Sequence, residues 1–423
     1  MTRRIAVIGA GWAGLAAAVE CAAKGTQVTL FEMAPMAGGR ARDVAASDAG
    51  LDNGQHICIG AYSETLRLLA QVGVDESAAF LRLPLRLVDA TGLGLRLPAG
   101  PPMPAFVRAV LRRRGWSWRD RFSLLRKAVG WSRGGFACAP EATVADLVAG
   151  LPEPVRSQFI EPLCVAALNT PAMSASGTVF LRVLHDALVS GRGASDLLLP
   201  RLGLGSVLPG PALAWLAARG ATVRLAHRVE SVEASNAAWV VDGALFDAAI
   251  VAASVHEAER LLAPHDAAWA TRASALRYEP IVTVYITSAG TRLPEPMLVL
   301  HADDGRPAQF VFDRGQLGGP PGLLAFVVSG AAAWVERGLV ASETAVLAQA
   351  RVDLAAHLRG PLVLLRTIVE KRATFRCTPQ LDRPPMRVLP GLVAAGDYID
   401  GPYPATLEGA VRSGVAAARA ALS

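Results

Sequence analysis

Residues 5–32 read IAVIGAGWAGLAAAVECAAKGTQVTLFE. An apolar run, Ile5 to Ile8, enters Gly9-x-Gly11-x-x-Gly14, and an alanine-rich helix follows. Gly25 stands where that helix should stop, and a second apolar run, Gln27 to Phe31, ends at Glu32. Strand, glycine turn, helix and strand in this order form a dinucleotide site. Gly9 permits the tight turn. Gly11 has no side chain, so the backbone can approach a pyrophosphate. Gly14 lets the helix pack close to the sheet. The helix N-terminus offers free N–H groups and a positive dipole to the phosphates. Glu32 lies where a carboxylate accepts hydrogen bonds from a ribose diol, and its charge disfavours a 2′-phosphate.

Working outward, three features favour FAD over a nicotinamide cofactor. Gly38-Gly39-Arg40 follows Glu32 closely, so a second glycine turn and an arginine meet the cofactor. Only one GxGxxG follows a strand. The C-terminus adds its own nucleotide-like element: a strand over 392–395, then Gly396-Asp397, then Pro402-Tyr403-Pro404-Ala405-Thr406 leading into a helix from Leu407 to Ala421. Asp397 is placed to bind a ribityl hydroxyl. The helix N-terminus at Thr406 and Leu407 can stabilise negative charge on a reduced flavin.

Composition narrows the class. The 423 residues are 52% hydrophobic and 18% charged, which excludes a disordered chain. The length suits two intertwined domains. No apolar run reaches the roughly 20 residues of a membrane span, and the N-terminus lacks the pattern of a signal peptide, so a cytoplasmic protein is expected. The five cysteines include no Cys-x-x-Cys pair, so free thiols and no metal site are expected. The net charge of +6 is nearly all arginine, since the chain has only Lys24, Lys127 and Lys371.

The combination of GAGWAGLAAA, GGRARD and AAGDYIDGPYPATLEGAVRSG resembles the flavin amine oxidase and carotenoid desaturase superfamily. That resemblance implies an α/β fold. A Rossmann-like FAD-binding domain is assembled from discontinuous segments (1–85, 200–260 and 385–423), with a mixed α+β substrate domain over 86–199 and 261–384. In the middle FAD segment a helix is expected over 213–219, strands over 221–225 and 228–232, and a strand over 246–253 leading back to the flavin. By analogy the backbone of Val229 would pair with adenine. The stretches LDNGQHICIGAYSETLRLL, EPLCVAALNTP, LLLPRLGLGSVLP and EKRATFRCTP are similar, more narrowly, to bacterial hydroxysqualene dehydroxylases. This implies reductive removal of an allylic hydroxyl from hydroxysqualene, on the route to squalene and hopanoids. A carotenoid-type oxidative desaturase and a non-enzymatic prenyl-binding relative remain the alternatives.

Such a reaction needs a proton for the departing oxygen, exclusion of water and a positioned hydride donor. The polar segment Asp52-Asn53-Gly54-Gln55-His56 is the place to look for the first. His56 is a candidate proton donor, Gln55 a candidate for orienting the hydroxyl or the flavin, and Asp52 a third catalytic candidate, with a hydrogen-bonded Asp52–His56 pair as the structural reading. Asn169, Thr170 and Tyr403 are pocket candidates, with capping and loop packing as their structural readings. Lys371 is expected to be exposed. Residues 106–127, FVRAVLRRRGWSWRDRFSLLRK, interleave arginines with aromatic and aliphatic residues. This reads as a peripheral membrane contact for an enzyme with a polyprenyl substrate, or as a solvated helical pair. Prenyl-chain synthases are expected as neighbours and nucleic acid is not.

Overall fold

The computed structural model describes residues 2–44, 51–236 and 238–423. From the N-terminus, β1 (Arg4–Ile8) leads through the glycine turn into α1 (Trp12–Ala23) and β2 (Gln27–Phe31). The chain then leaves this layer. α2 (Pro102–Arg112) and α3 (Trp118–Arg133) form a helical hairpin. A π-helical turn, Arg156–Ile160, runs into α4 (Glu161–Leu168), and α5 (Gly177–Val189) follows. It returns with β3 (Thr222–Arg224) and β4 (Ala248–Val251). A second excursion supplies β5 (Tyr278–Thr287), β6 (Met297–Val299), β7 (Phe310–Asp313), β8 (Leu323–Val328) and β9 (Val363–Phe375). The final return brings β10 (Arg387–Leu389), β11 (Leu392–Ala394) and α6 (Leu407–Leu422).

Two sheets organise these pieces. The first has the order β10-β11-β4-β1-β2-β3, drawing on three separated stretches of chain. Its pairings are parallel except β10 with β11. A parallel sheet must be covered on both faces, which is why β4 is buried along its whole length and reads as a continuous apolar run. α1 is buried from Trp12 to Cys21, so it has no polar face to show. The second sheet, β6-β7-β8-β5-β9, is antiparallel and backs the other half of the molecule.

Most expected elements are present, with three shifts. The helix expected at 213–219 begins earlier, at Pro209, and ends at Ala217, because proline is well suited to a first helical turn. The run 228–232 is not a strand until Val232. Asp242 Oδ1 accepts from the N–H groups of Glu230 and Ser231, and a side-chain acceptor there replaces a strand partner. The run 246–253 divides at Asp247. Residues Ala244–Phe246 pair in a small antiparallel sheet, and Ala248–Val251 joins the parallel one. Asp247 fixes the switch, since its carboxylate accepts from Arg4 N at 2.6 Å and its N–H donates to Arg4 O at 2.8 Å.

Packing in the first layer brings backbone against backbone. A Cβ on Gly414 of α6 would stand 2.0 Å from the carbonyl oxygen of Ala13 in α1. Gly414→Val is therefore expected to separate the two helices and destabilise the fold by about 2 kcal/mol or more. A lowered thermal midpoint and reduced flavin content in the purified variant would check this.

Candidate functional site

A cavity of about 600 Å³ opens where β1, β2, β4 and β11 end. This is the carboxyl-terminal edge of the sheet, where ligands bind in open α/β folds. Gly9, with φ +104°, makes the turn that only glycine takes easily. Its N–H donates to Phe31 O at 2.7 Å, closing the turn onto β2. Gly14 packs its Cα against the same turn, since a Cβ there would meet Gly9 O at 1.8 Å. The Glu32 carboxylate lies at the end of β2 and accepts from Ala10 N at 2.7 Å and Ala34 N at 2.8 Å. It is thus fixed beside the N-terminus of α1, on the cavity wall.

Separated pieces of chain meet at Arg40. Its Nη2 donates to Asp397 Oδ1 at 2.5 Å, and its Nη1 donates to Ala373 O of β9 at 2.8 Å. The second glycine turn is held against α1 as well: Gly38 N–H donates to Ala10 O at 2.8 Å, and Trp12 Nε1 donates to Ala41 O at 3.2 Å. Asn53 Nδ2 donates to Glu370 Oε2 at 2.9 Å, so this carboxylate on the wall is also engaged. Thr406 caps α6, its hydroxyl accepting from Gly409 N at 2.9 Å.

The structure brings Gly9, Gly11, Glu32, Gly39, Arg40, Val229, Gly396, Asp397, Thr406 and Leu407 to one cavity wall, together with Gln55, His56 and Asn169. Gly14 stands behind that wall, in its packing role. Asn169 ends α4 in the left-handed conformation, φ +47°. Its side chain donates to Thr374 Oγ1 at 2.9 Å and accepts from Gly330 N at 2.7 Å, so it both caps the helix and ties it to β9.

Four expectations need correction. Asp52 does not line the cavity and does not pair with His56. It is buried, and its Oδ1 accepts from Leu204 N at 2.8 Å. Thr170 is fully buried, and its hydroxyl donates to Leu168 O. Tyr403 lies outside the cavity, between the guanidinium groups of Arg182 and Arg412. Its hydroxyl accepts from Arg182 Nη2 at 3.0 Å. The sense of His56 also changes. Its Nδ1 lies 3.0 Å from Gly54 O, and a carbonyl can only accept, so Nδ1 carries the hydrogen. Burial lowers its pKa below the usual 6.5. The neutral ring therefore has a bare Nε2, which can accept a hydrogen bond and carries no proton to give.

Among the cavity residues that the sequence does not mark, Tyr62 stands out. Tyr62 lies six residues beyond His56 and lines the same space. Burial, with Cys58 and Glu408 adding to it, raises its pKa and keeps it a phenol. Its hydroxyl has no partner among the described residues. The signal lay inside the quoted stretch LDNGQHICIGAYSE, but a single tyrosine among small residues has no periodicity to mark it. Lys371 is exposed, as expected. Burial pushes the Cys58 thiol up to about 12, leaving it unreactive.

The cavity fits the FAD expected from the sequence. A Cβ on Gly11 would meet only Gly39 Cα, at 3.9 Å, so the protein leaves open the space that a pyrophosphate needs. Val229 N–H has no partner among the described residues, while its carbonyl accepts from Arg260. Gln55 Nε2 is buried without one. Gly11→Leu is expected to leave the fold intact but to purify without yellow colour, because its side chain would occupy the cofactor's place. Absorbance at flavin wavelengths together with circular dichroism would check both halves.

Asp52 yields a second prediction. Burial, the largest cause, raises its pKa to about 7, and neighbouring Asp43 adds to it. The folded state thus holds a proton that the unfolded chain releases nearer 3.8, so stability falls as pH rises between these values. Asp52→Asn imitates the protonated acid. Its stability relative to the native chain should rise between pH 5 and pH 8, by of the order of 2 kcal/mol. Denaturant titrations at the two pH values measure it.

Comparison with known proteins agrees with this geometry. The profile of the flavin containing amine oxidoreductase family matches residues 12–422. A hydroxysqualene dehydroxylase of Sinorhizobium fredii is 28% identical over 100% of this chain and 99% of its own. One from Rhodopseudomonas palustris is 28% identical over 99% and 98%. Among solved structures, an oxidoreductase from Methanosarcina mazei superposes with a TM-score of 0.71 at 16% identity, covering 98% of this chain and 99% of that one. Cyclohexylamine oxidase from Brevibacterium oxydans does so at 0.65 and 18%, covering 100% and 99%. With the cofactor cradle, the sheet and the matched profile in agreement, the chain belongs to the flavin containing amine oxidoreductase family and is an FAD-dependent oxidoreductase.

Proposed function

We propose that this enzyme removes the allylic hydroxyl of hydroxysqualene reductively, releasing squalene and water. The observation that carries the reading is similarity along the whole chain to hydroxysqualene dehydroxylases. A zeta-carotene desaturase of Zea mays matches over only 26% of the chain. The same reading puts the enzyme in the cytoplasm, at the inner face of the cell membrane, beside the prenyl-chain synthases that make its substrate. Among the described residues no helix is long and apolar enough to cross a membrane.

Reduced FAD, when bound, supplies the hydride that replaces the hydroxyl. The glycine turn, Glu32, the Val229 backbone, Arg40, Asp397 and Thr406 would hold it. The remaining task falls to the chain's own groups. The substrate hydroxyl leaves as water only if it gains a proton. Tyr62, kept protonated by burial, offers an O–H to the departing oxygen. His56 offers Nε2 as an acceptor for the hydroxyl hydrogen, which fixes the direction of the C–O bond. Val165, Ala166, Ala167, Ile57 and Ile281 line the same cavity and keep water from a cation-like allylic carbon. The balance is one hydride and one proton in, one C–O bond broken, one C–H bond formed and one water out.

Anaerobic incubation of the yellow protein with hydroxysqualene and dithionite should yield squalene. A folded, flavin-loaded protein that leaves hydroxysqualene unchanged would defeat the proposal. Visible absorbance from new conjugated double bonds would favour the desaturase instead. Tyr62→Phe should keep its flavin and lose roughly 10²-fold or more in kcat. The acid limb of the pH profile separates the two roles of histidine. As an acceptor His56 works when neutral, so kcat/KM should fall as pH drops below its lowered pKa, under 6.5. A rate that rises there would make His56 the proton donor.

A further inference from the structure

The segment 101–133 holds nine of the chain's 42 arginines and lysines and one of its 36 acids. Without it the net charge of +6 would turn slightly negative. The one acid, Asp120, is buried and accepts from Ser117, capping the start of α3. Arg108, Arg112, Arg114, Arg119, Arg126 and Arg133 are exposed, and none has an ion-pair partner among the described residues. Elsewhere many arginines are paired: Arg40, Arg86, Arg96, Arg228 and Arg260 all meet carboxylates.

The hairpin sorts its apolar residues onto two faces. Phe106, Val110, Trp116, Leu124 and Trp131 point into the core. Trp118 and Phe122 point outward, 61% and 58% exposed, with their rings stacked at 5.7 Å. On α3 the spacing Trp118, Phe122, Arg126, Val129, Arg133 is a single helical stripe. On α2, Val107 and Leu111 stand beside Arg108 and Arg112, again at i,i+4 spacing. Exposed aromatic and aliphatic tips interleaved with unpaired cations suit a bilayer interface, where the tips enter the acyl boundary and the arginines meet phosphate. Beneath the hairpin lies a narrow crevice lined only by apolar side chains. Met103, Phe106, Leu124 and Trp131 come from these same two helices, and Phe159 and Ile160 from the π-helical turn that leads into α4. α4 in turn carries Val165, Ala166 and Ala167 on the main cavity wall.

We propose that the outer face of α2 and α3 docks on an anionic lipid bilayer. The proposal rests on the polyprenyl reading for its purpose, but its test does not depend on turnover. The flavin-loaded full chain is sedimented with vesicles of phosphatidylcholine alone and of phosphatidylcholine with phosphatidylglycerol. The native protein should pellet with the anionic vesicles and stay in solution with neutral ones, and high salt should release it. Arg112→Gln, Arg119→Gln and Arg126→Gln should each weaken binding roughly fivefold, and the triple variant about a hundredfold. Trp118→Ser with Phe122→Ser should weaken it further. Unchanged flavin absorbance and thermal midpoint show that these surface variants fold. A native protein that stays in solution with anionic vesicles overturns the proposal. So does a triple variant that binds as well as the native chain, or preferential capture by duplex DNA. Turnover of detergent-dispersed hydroxysqualene is measured in parallel and should be equal in the native and triple-variant proteins. Absence of squalene there defeats the reaction assignment alone, and vesicle binding still decides the docking face.

Discussion

The structure depends on how closely backbone can approach backbone at Gly9. The turn there touches α1 through Gly14, β2 through the Phe31 carbonyl and β4 through Ala252. A Cβ on Gly9 would lie 2.6 Å from the Ala252 carbonyl oxygen. This contact has no room for a side chain on Gly9. Because it is so tight, the N-terminus of α1 stands directly over the sheet edge, and Glu32 can hold Ala10 N–H beside it. The cofactor cradle is therefore a consequence of packing as much as of ligand chemistry. α6 repeats the device through Gly414 against Ala13, which brings the C-terminal segment within reach of Arg40.

That geometry explains why so much of the first layer was legible in the sequence. Close backbone approach leaves glycines at fixed spacing, and a doubly covered parallel sheet leaves uninterrupted apolar strands. Residues 5–32 show both, so β1, α1 and β2 were readable, as was α6 behind Thr406. The errors arose where a side chain does the work of a strand partner. Asp242 gathers the N–H groups at 230 and 231, and Asp247 turns the chain between two sheets. An aspartate doing this looks like any other aspartate in an apolar run.

The reacting end was less legible for a different reason. Sequence proximity placed Asp52, Gln55 and His56 together, but the chain between them turns. Asp52 faces Leu204 in the layer behind, while Gln55 and His56 face the cavity. Tyr403 sat near the flavin-facing helix in sequence, yet two arginines on α5 and α6 take its ring. Tyr62 had no motif of its own, and its place comes only from the way the chain passes from His56 to the helix beginning at Ser63. The charge state of His56 is set mainly by burial, while the Gly54 carbonyl fixes which ring nitrogen keeps the hydrogen, and neither leaves a trace in residue identity.

The cavity's charges are distributed unevenly, and this bears on its chemistry. Several ionised groups on its wall are held in place: Arg40 by Asp397, Glu370 by Asn53, Glu32 by two backbone N–H groups. Glu32 and Arg40 stand at the glycine turns, where a dinucleotide, itself charged, would rest. Beside them stand groups that are neutral at neutral pH: an amide at Gln55, an imidazole at His56, a phenol at Tyr62, an amide at Asn169. Their neighbours are Ile57, Val165, Ala166, Ala167 and Ile281. In a low-dielectric space a fixed carboxylate would trap a carbocation, and a fixed ammonium would oppose its formation. Neutral donors and acceptors do neither. In the proposed reaction such groups would orient a hydroxyl while the apolar walls exclude water.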